Sequence, residues 1–281
     1  MTEMRLSVAL VQLDAGGDVA ANIAAAVALA DEAAAGGARL VALPEYLHFR
    51  GPDDRFRASA RPIPGPHTEP FAAVARRRNV WILVGSTAET SDDPARPYNT
   101  SALIAPDGSI VATYRKIHLF DVAVEAGPVD TESARVTPGD RLVTAAVDGA
   151  RVGLSICYDL RFPELYRSLA LAGAQILTVP ANFTERTGRD HWEVLLRARA
   201  IENAAYVLAP SQIGGPPGQP AYGRSMVIDP WGTIIAQAPD RVAIVRAELD
   251  LDRVAEVRRQ IPALANRRPD AYQREPVSSQ T

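Results

Sequence analysis

At 281 residues the chain can form one large domain or two small ones, and a hydrophobic fraction of 47% supplies a sizeable core. A net charge of −3, with Arg76-Arg77-Arg78 as a lone short basic cluster, gives no electrostatic footprint for nucleic acid. A single cysteine excludes an intramolecular disulfide framework and any zinc site built from several thiolates.

Arg5 to Leu13 is predicted as a strand. Met1 to Leu13 lacks the cationic and apolar regions of a secretory signal. Asp18 is placed to cap an Ala-rich helix that ends near Gly36 and Gly37. The apolar run Ile23 to Ala30 in that helix is soon broken by Asp31 and Glu32, well short of the roughly 20 residues a membrane span needs. The expectation is a reduced, soluble, cytoplasmic protein with no membrane and no nucleic-acid partner.

Ala38 to Leu43 reads as a buried strand stopped by Pro44, and residues 50 to 66 read as a loop because they are rich in Pro, Gly, Asp and Arg. A helix over His67 to Arg78 and a strand over Val80 to Ala88 follow. Three hairpins are predicted, turning at Pro106-Asp107-Gly108, at Asp148-Gly149 and at Asp229-Pro230-Trp231-Gly232. Between the last two lie a helix over Pro163 to Leu171, a strand over Gln175 to Val179, an amphipathic helix over Arg189 to Asn203 and a strand over Ala205 to Pro210. Val242 to Leu249 is the last strand. Hairpins mixed with βα crossovers imply mixed sheets, and two sheets packed face to face with helices outside would bury the many apolar strands. No internal repeat or linker divides the chain. The expectation is a single domain over 1–281, with its core at about 5–266 and a polar tail at 269–281.

Three reactive residues each follow a predicted strand: Glu45 after Leu40-Val41-Ala42-Leu43, Lys116 after Ala112-Thr113-Tyr114-Arg115, and Cys157 after Val152-Gly153-Leu154-Ser155-Ile156. Strand ends of α/β sheets are where ligands bind and where rigidly held catalytic loops sit. Taken singly, Cys157 reads as a small buried hydrophobe, Glu45 as a solvated loop acid and Lys116 as a surface lysine. Their shared context points to chemistry instead. Cys157 opens a strand-to-helix passage whose helix start can help stabilise a thiolate. A nearby carboxylate can act as base and an ammonium can meet developing charge. The four histidines show no metal spacing, so no metal is expected.

Three ordered segments carry a family resemblance: Leu43-Pro44-Glu45-Tyr46, Tyr114-Arg115-Lys116-Ile117-His118-Leu119-Phe120, and Ser155-Ile156-Cys157-Tyr158-Asp159-Leu160-Arg161-Phe162-Pro163-Glu164. From about Arg5 to Asn266 the chain resembles the nitrilase, or carbon–nitrogen hydrolase, superfamily. The resemblance implies a four-layer α-β-β-α sandwich with two mixed sheets. It also implies a homodimer or larger assembly paired through outer helices, here the helices starting near Pro163 and over Arg189 to Asn203. By resemblance Cys157 is the nucleophile, Glu45 the general base and Lys116 an oxyanion stabiliser aided by the backbone N–H of Tyr158, with no cofactor. Glu132 is the expected second acid, orienting substrate and binding Lys116, with Glu125 and Asp130 as competitors nearby.

Gly188 to Glu202 and Tyr222 to Gly232 are similar to the deaminated glutathione amidase and ω-amidase branch. Asn182, in Val179-Pro180-Ala181-Asn182-Phe183, is a departure, because those amidases usually carry a small residue there. Tyr46, Asn182 and Phe183 are candidate substrate contacts. Arg161 is another, for a substrate carboxylate, in competition with a salt bridge to Asp159 or Glu164. His118 and His191 read as supporting residues. The expected activity is hydrolysis of a small linear amide through a thioester. The alternatives are an ω-amidase for 2-oxo dicarboxylate amides, an N-carbamoyl hydrolase, a papain-like pairing of Cys157 with His118 or His191, and a catalytically silent binding protein of the same fold.

Overall fold

The computed structural model describes residues 4–125, 129–216, 218 and 220–272. The chain begins with strand β1 (Arg5–Gln12), helix α1 (Val19–Ala35), strand β2 (Leu40–Ala42), helices α2 (Asp53–Ala58) and α3 (Glu69–Arg78), and strands β3 (Trp81–Glu89), β4 (Tyr98–Ile104) and β5 (Ile110–Arg115). A small hairpin follows, β6 (Asp121–Ala123) with β7 (Val129–Thr131). Next come β8 (Thr144–Val147), β9 (Ala150–Leu154), α4 (Pro163–Leu171), β10 (Ile176–Thr178), α5 (Glu185–Asn203) and β11 (Tyr206–Ala209). A second small hairpin joins β12 (Ile213–Gly214) to β13 (Ala221–Tyr222). Strands β14 (Met226–Ile228), β15 (Ile234–Gln237) and β16 (Ala243–Asp250) and helices α6 (Asp252–Gln260) and α7 (Pro269–Tyr272) complete the described chain.

Two six-stranded mixed sheets result, ordered β16-β1-β2-β3-β4-β5 and β15-β14-β11-β10-β9-β8. Each has three parallel strands at its centre, β1-β2-β3 and β9-β10-β11, with antiparallel strands at the flanks. Strand alternation assigns the faces of the first sheet. Leu6, Val8 and Leu10 of β1 share a core cluster with Val152, Leu154, Leu177 and Leu208 of the second sheet. Ala9 and Val11 of the same strand pack instead with Ala26, Ala30 and Ala33 of α1 and with Phe71 and Val74 of α3. Leu165 and Leu169 of α4 and Trp192 and Leu196 of α5 join the second sheet's core. The layers therefore run helix, sheet, sheet, helix, as the resemblance implies.

Local signals explain most boundaries. The Asp18 side chain accepts the Ala21 N–H at 3.1 Å and caps α1. Asn79, at φ 52°, ends α3 in the left-handed region. Gly85 of β3 passes close to Leu43, just past β2, and to Pro180, just past β10 of the other sheet. A Cβ on Gly85 would lie 1.6 Å from the Leu43 carbonyl oxygen and 2.8 Å from the Pro180 Cβ.

The structure corrects the expected elements in several places. The stretch read as a loop over 50–66 contains α2, because Phe56 is buried and meets the Tyr46 ring edge-on at 5.1 Å. Helix α5 starts at Glu185 rather than Arg189. The two small hairpins and α6 are additional, and α6 is held by buried Val254 and Val257 at helical spacing. Of the expected tail, Pro269–Tyr272 is a helical turn and residues 273–281 lie outside the described residues.

Candidate active site

Glu45 leaves the end of β2 on a turn pinned to β3. The Ser86 N–H donates to the Pro44 carbonyl at 3.2 Å, and the Tyr46 N–H donates to Ser86 Oγ at 3.0 Å. Tyr46 is left-handed at φ 53°, which turns the chain sharply beside Glu45. Gln212 Nε2 donates to the Glu45 carbonyl at 3.0 Å from the other side. Lys116 follows β5, and its N–H donates to the Asn99 carbonyl at 2.9 Å. Cys157 begins a 3-10 turn at φ 48°, with its N–H on the Pro180 carbonyl at 2.9 Å. Glu132 begins another 3-10 turn just after β7.

These four side chains converge below solvent. Lys116 Nζ lies 3.0 Å from Glu45 Oε1 and 2.8 Å from Glu132 Oε2, and all three side chains are 2% exposed. Asn99 Nδ2 bridges the acids, donating to Glu45 Oε1 at 2.9 Å and to Glu132 Oε1 at 3.4 Å. The Asn182 N–H donates to Glu45 Oε2 at 2.8 Å. Glu132 also accepts the Phe120 N–H at 2.6 Å and the Tyr46 hydroxyl. Two carboxylates and one ammonium are thus buried with nearly every lone pair engaged, the condition under which buried charge is tolerated.

The surroundings set the protonation states. Burial alone would lower Lys116, but Glu132 and Glu45 outweigh it and hold the ammonium well above its ordinary range. Burial alone would raise Glu132, but Lys116 holds it below the ordinary carboxylate range. Burial, and then the neighbouring Glu45 carboxylate, push the Cys157 thiol well up against the pull of Lys116. Both effects favour the protonated thiol.

The cluster forms the floor of a cleft of about 970 Å³ lined by Glu45, Tyr46, Lys116, Glu132, Cys157 and Asn182, with Arg50, Arg135, Arg186 and Arg189 among the outer residues. A minor recess beside Cys157 is lined by Phe120, Tyr158, Asn182, Phe183 and Thr187. The structure brings Glu132 to Lys116 and neither competitor. Asp130 pairs with Arg135, and Glu125 is exposed.

Arg161 is not in the cleft lining, and among the described ion pairs it joins neither Asp159 nor Glu164. Its guanidinium lies 5.3 Å from the Phe183 ring and 5.8 Å from the Tyr158 ring, over two side chains of the minor recess, with Nη1 3.3 Å from His191 Nδ1. His118 Nδ1 is 2.7 Å from Asp159. Among the described hydrogen bonds, neither histidine of the papain-like alternative reaches Cys157. Among the described residues, no group of three or more His, Cys, Asp or Glu is arranged to hold a metal ion. Asn99 and Gln212 escaped the sequence reading. The run Asn99-Thr100-Ser101, three polar residues in succession within a strand, is the signal that would have found the first.

A proton-bearing thiol against a carboxylate, with an ammonium alongside and an open cleft above, defines a site suited to acyl transfer. The chain belongs to the carbon–nitrogen hydrolase family, whose model matches residues 7–259. It is 40% identical to the omega-amidase NIT2 of Homo sapiens over 273 residues, 97% of this chain and 98% of that protein. It is 42% identical to the deaminated glutathione amidase of Synechocystis sp. over 263 residues, 92% of this chain and 97% of that protein. The crystal structure of Saccharomyces cerevisiae Nit3, described as a member of branch 10 of the nitrilase superfamily, superposes with a TM-score of 0.82 at 32% identity, covering 92% of this chain and 94% of that one. The protein is a carbon–nitrogen hydrolase of the amidase type.

Proposed function

We propose that Cys157, Glu45 and Lys116 hydrolyse a small linear amide through a thioester. The observation that carries this reading is the shared Glu45 carboxylate, bound to Lys116 at 3.0 Å through Oε1 and to the Asn182 N–H at 2.8 Å through Oε2, beside a thiol that retains its proton. Glu45 takes the thiol proton as sulfur bonds to the amide carbon, and the carbonyl electron pair moves to oxygen. Lys116 Nζ and the Tyr158 N–H meet that oxyanion, and donors of this kind contribute about 3–4 kcal/mol each. Glu45 then passes the proton to nitrogen, the carbonyl re-forms as the C–N bond breaks, and the amine, or ammonia from a primary amide, leaves. Water gives a proton to Glu45 and attacks the thioester, releasing the acid and restoring the thiol. Glu132 and Tyr46 keep the ammonium charged and aimed, and no cofactor takes part.

The substrate proposed is of the deaminated glutathione type, a short dicarboxylic acyl unit joined through its γ-carbonyl to an extended amine. Support comes from the cleft volume of about 970 Å³, near the top of the roughly 300–1,000 Å³ of small-molecule sites. That is far more than a five-carbon 2-oxo dicarboxylate amide fills, and the ω-amidase reading is second for that reason. In this reading Asn182 and Phe183 contact the acyl chain and Arg161 attracts its carboxylate from behind the minor recess. We further place the protein in the cytoplasm, as a single domain over 1–281 and a homodimer joined by the outer faces of α4 and α5. Exposed Leu171, Val194 and Ile201 on those helices support the pairing.

The test is hydrolysis of deaminated glutathione, read as release of its dipeptide amine, beside ammonia release from 2-oxoglutaramate, N-carbamoyl amino acids and a simple nitrile, with wild type compared with Cys157→Ala. Release by wild type alone is expected, and equal release by both proteins would remove Cys157 from the mechanism. Light scattering tests the dimer.

A further inference from the structure

We infer that Asp159 is the positioning residue that holds the Lys116 ammonium in register with the Cys157 sulfur. This inference rests on the catalytic roles proposed above. Its carboxylate is fully buried and accepts four hydrogen bonds. The Tyr114 hydroxyl donates to Oδ2 at 2.7 Å and the Ile156 N–H to the same oxygen at 2.8 Å. The His118 N–H reaches Oδ1 at 3.1 Å, and His118 Nδ1 lies 2.7 Å from it.

The donors are distributed in a telling way. Tyr114 and His118 stand two residues before and two residues after Lys116. Ile156 and Asp159 itself stand one before and two after Cys157. One carboxylate therefore engages residues on both sides of both groups, through the Tyr114 hydroxyl and the His118 ring as well as the His118 and Ile156 backbone N–H groups.

That grip crosses the layers of the fold. Lys116 follows β5 of the first sheet, and Cys157 follows β9 of the second. The two sheets meet through side-chain packing, which tolerates small slides, whereas hydrogen bonds of 2.7–3.1 Å do not. Cys157 also sits at φ 48°, a backbone state that non-glycine residues hold only when neighbours impose it. The Ile156 N–H bond to Asp159 closes the turn that imposes it. His118 stacks on Phe162 at 3.7 Å and 7°, so the imidazole that meets Asp159 is itself fixed.

Asp159 touches neither the cleft lining nor Glu45, and its effect passes through the two segments it ties. Asparagine at this position presents an N–H₂ to donors on one side and breaks half of the grip without changing size.

The experiment is a double-mutant cycle of Asp159→Asn with Lys116→Met, read twice on the full chain: as kcat for amide hydrolysis, and as the rate of Cys157 alkylation by iodoacetamide. Asp159→Asn is expected to lower kcat about 100-fold with KM within about threefold, a loss comparable to misplacing one oxyanion donor. Lys116→Met, costly in wild type, is then expected to cost less than about threefold more when added to Asp159→Asn, because the ammonium is already out of register. The alkylation cycle should show the same loss of coupling. It is independent of any amide, so silence of the wild type on every amide would sink the proposed substrate reading while the alkylation cycle still decides this one. Full additivity in both cycles, or a kcat within about threefold of wild type in folded Asp159→Asn, would overturn the inference. If Asp159→Asn does not fold, Tyr114→Phe removes one donor of the four and is expected to lower kcat about tenfold at unchanged KM. An unchanged kcat there would overturn it equally.

Discussion

Replacing Lys116 by methionine removes the single ammonium between two buried carboxylates while keeping the length of the side chain. Two separate losses follow. The first is catalytic: removing one preorganised oxyanion donor lowers kcat roughly 100- to 1,000-fold. The second is structural. Lys116, Glu45 and Glu132 are each 2% exposed, and breaking a buried pair by deleting one partner costs about 3–5 kcal/mol. With an unfolding entropy of roughly 2.1 cal/mol/K per residue over 281 residues, that cost lowers Tm by about 5–8 °C.

The pH dependence of the structural loss carries the sharper test. In wild type the Glu132 carboxyl is held down, so its contribution is present above the unfolded pKa of roughly 4.3 and lost as pH falls through the folded value. The Lys116 ammonium is held up, so its contribution is present below roughly 10.4 and lost as pH rises through its folded value. Between about pH 5 and 8 both are complete. Without the ammonium, burial raises a carboxyl in the cluster, and ionising it then costs more as pH rises. The Tm deficit of Lys116→Met should therefore be largest near pH 8 and shrink toward about pH 5. Thermal melts across that range beside amide hydrolysis measure both losses. Turnover within tenfold of wild type, or a Tm deficit that ignores pH, would refute the assignment.

Further predictions concern the thiol, the sheet contact and the buried histidines. Because burial and Glu45 push the Cys157 thiol up, its alkylation by iodoacetamide should keep accelerating above about pH 8, and a plateau below about pH 7 would mean a resting thiolate. Gly85→Ala drives a Cβ into the Leu43 carbonyl, shifting the segments that carry Glu45 and Asn182, and should lower Tm by more than about 5 °C, as severe overpacking does. A melt within about 2 °C of wild type would contradict that. Burial holds His48 well below its ordinary value and His67 down to about 4, with rings 4.8 Å apart and the Arg61 charge adding to the effect. Both are neutral in the fold, so stability is complete above roughly pH 6.5 and declines as pH falls toward about 4. His67→Gln should flatten that slope, and an unchanged slope would assign the acid sensitivity elsewhere.

Most of the two-sheet architecture was legible in the sequence because its signals are local. Asp18 caps α1, the Pro-Asp-Gly and Asp-Gly turns close their hairpins, and the apolar run stopped by Pro44 marks the buried strand β2. Helix α2 was missed because its reason to exist is Phe56 meeting Tyr46, a contact between distant stretches that overrides a Pro- and Gly-rich composition. Helix α6 was missed because only two apolar residues hold it in place.

The sequence by itself determined which groups stand at strand ends: Glu45, Lys116 and Cys157, in order and in a family-like context. Only the tertiary structure decided how they interact. It brought Glu132 rather than Asp130 or Glu125 to Lys116, recruited Asn99 and Gln212, placed Arg161 over the rings of the minor recess, and buried the Cys157 thiol beside Glu45. Those outcomes depend on burial and on through-space charge, which fall off over a few ångströms and bear no fixed relation to distance along the chain.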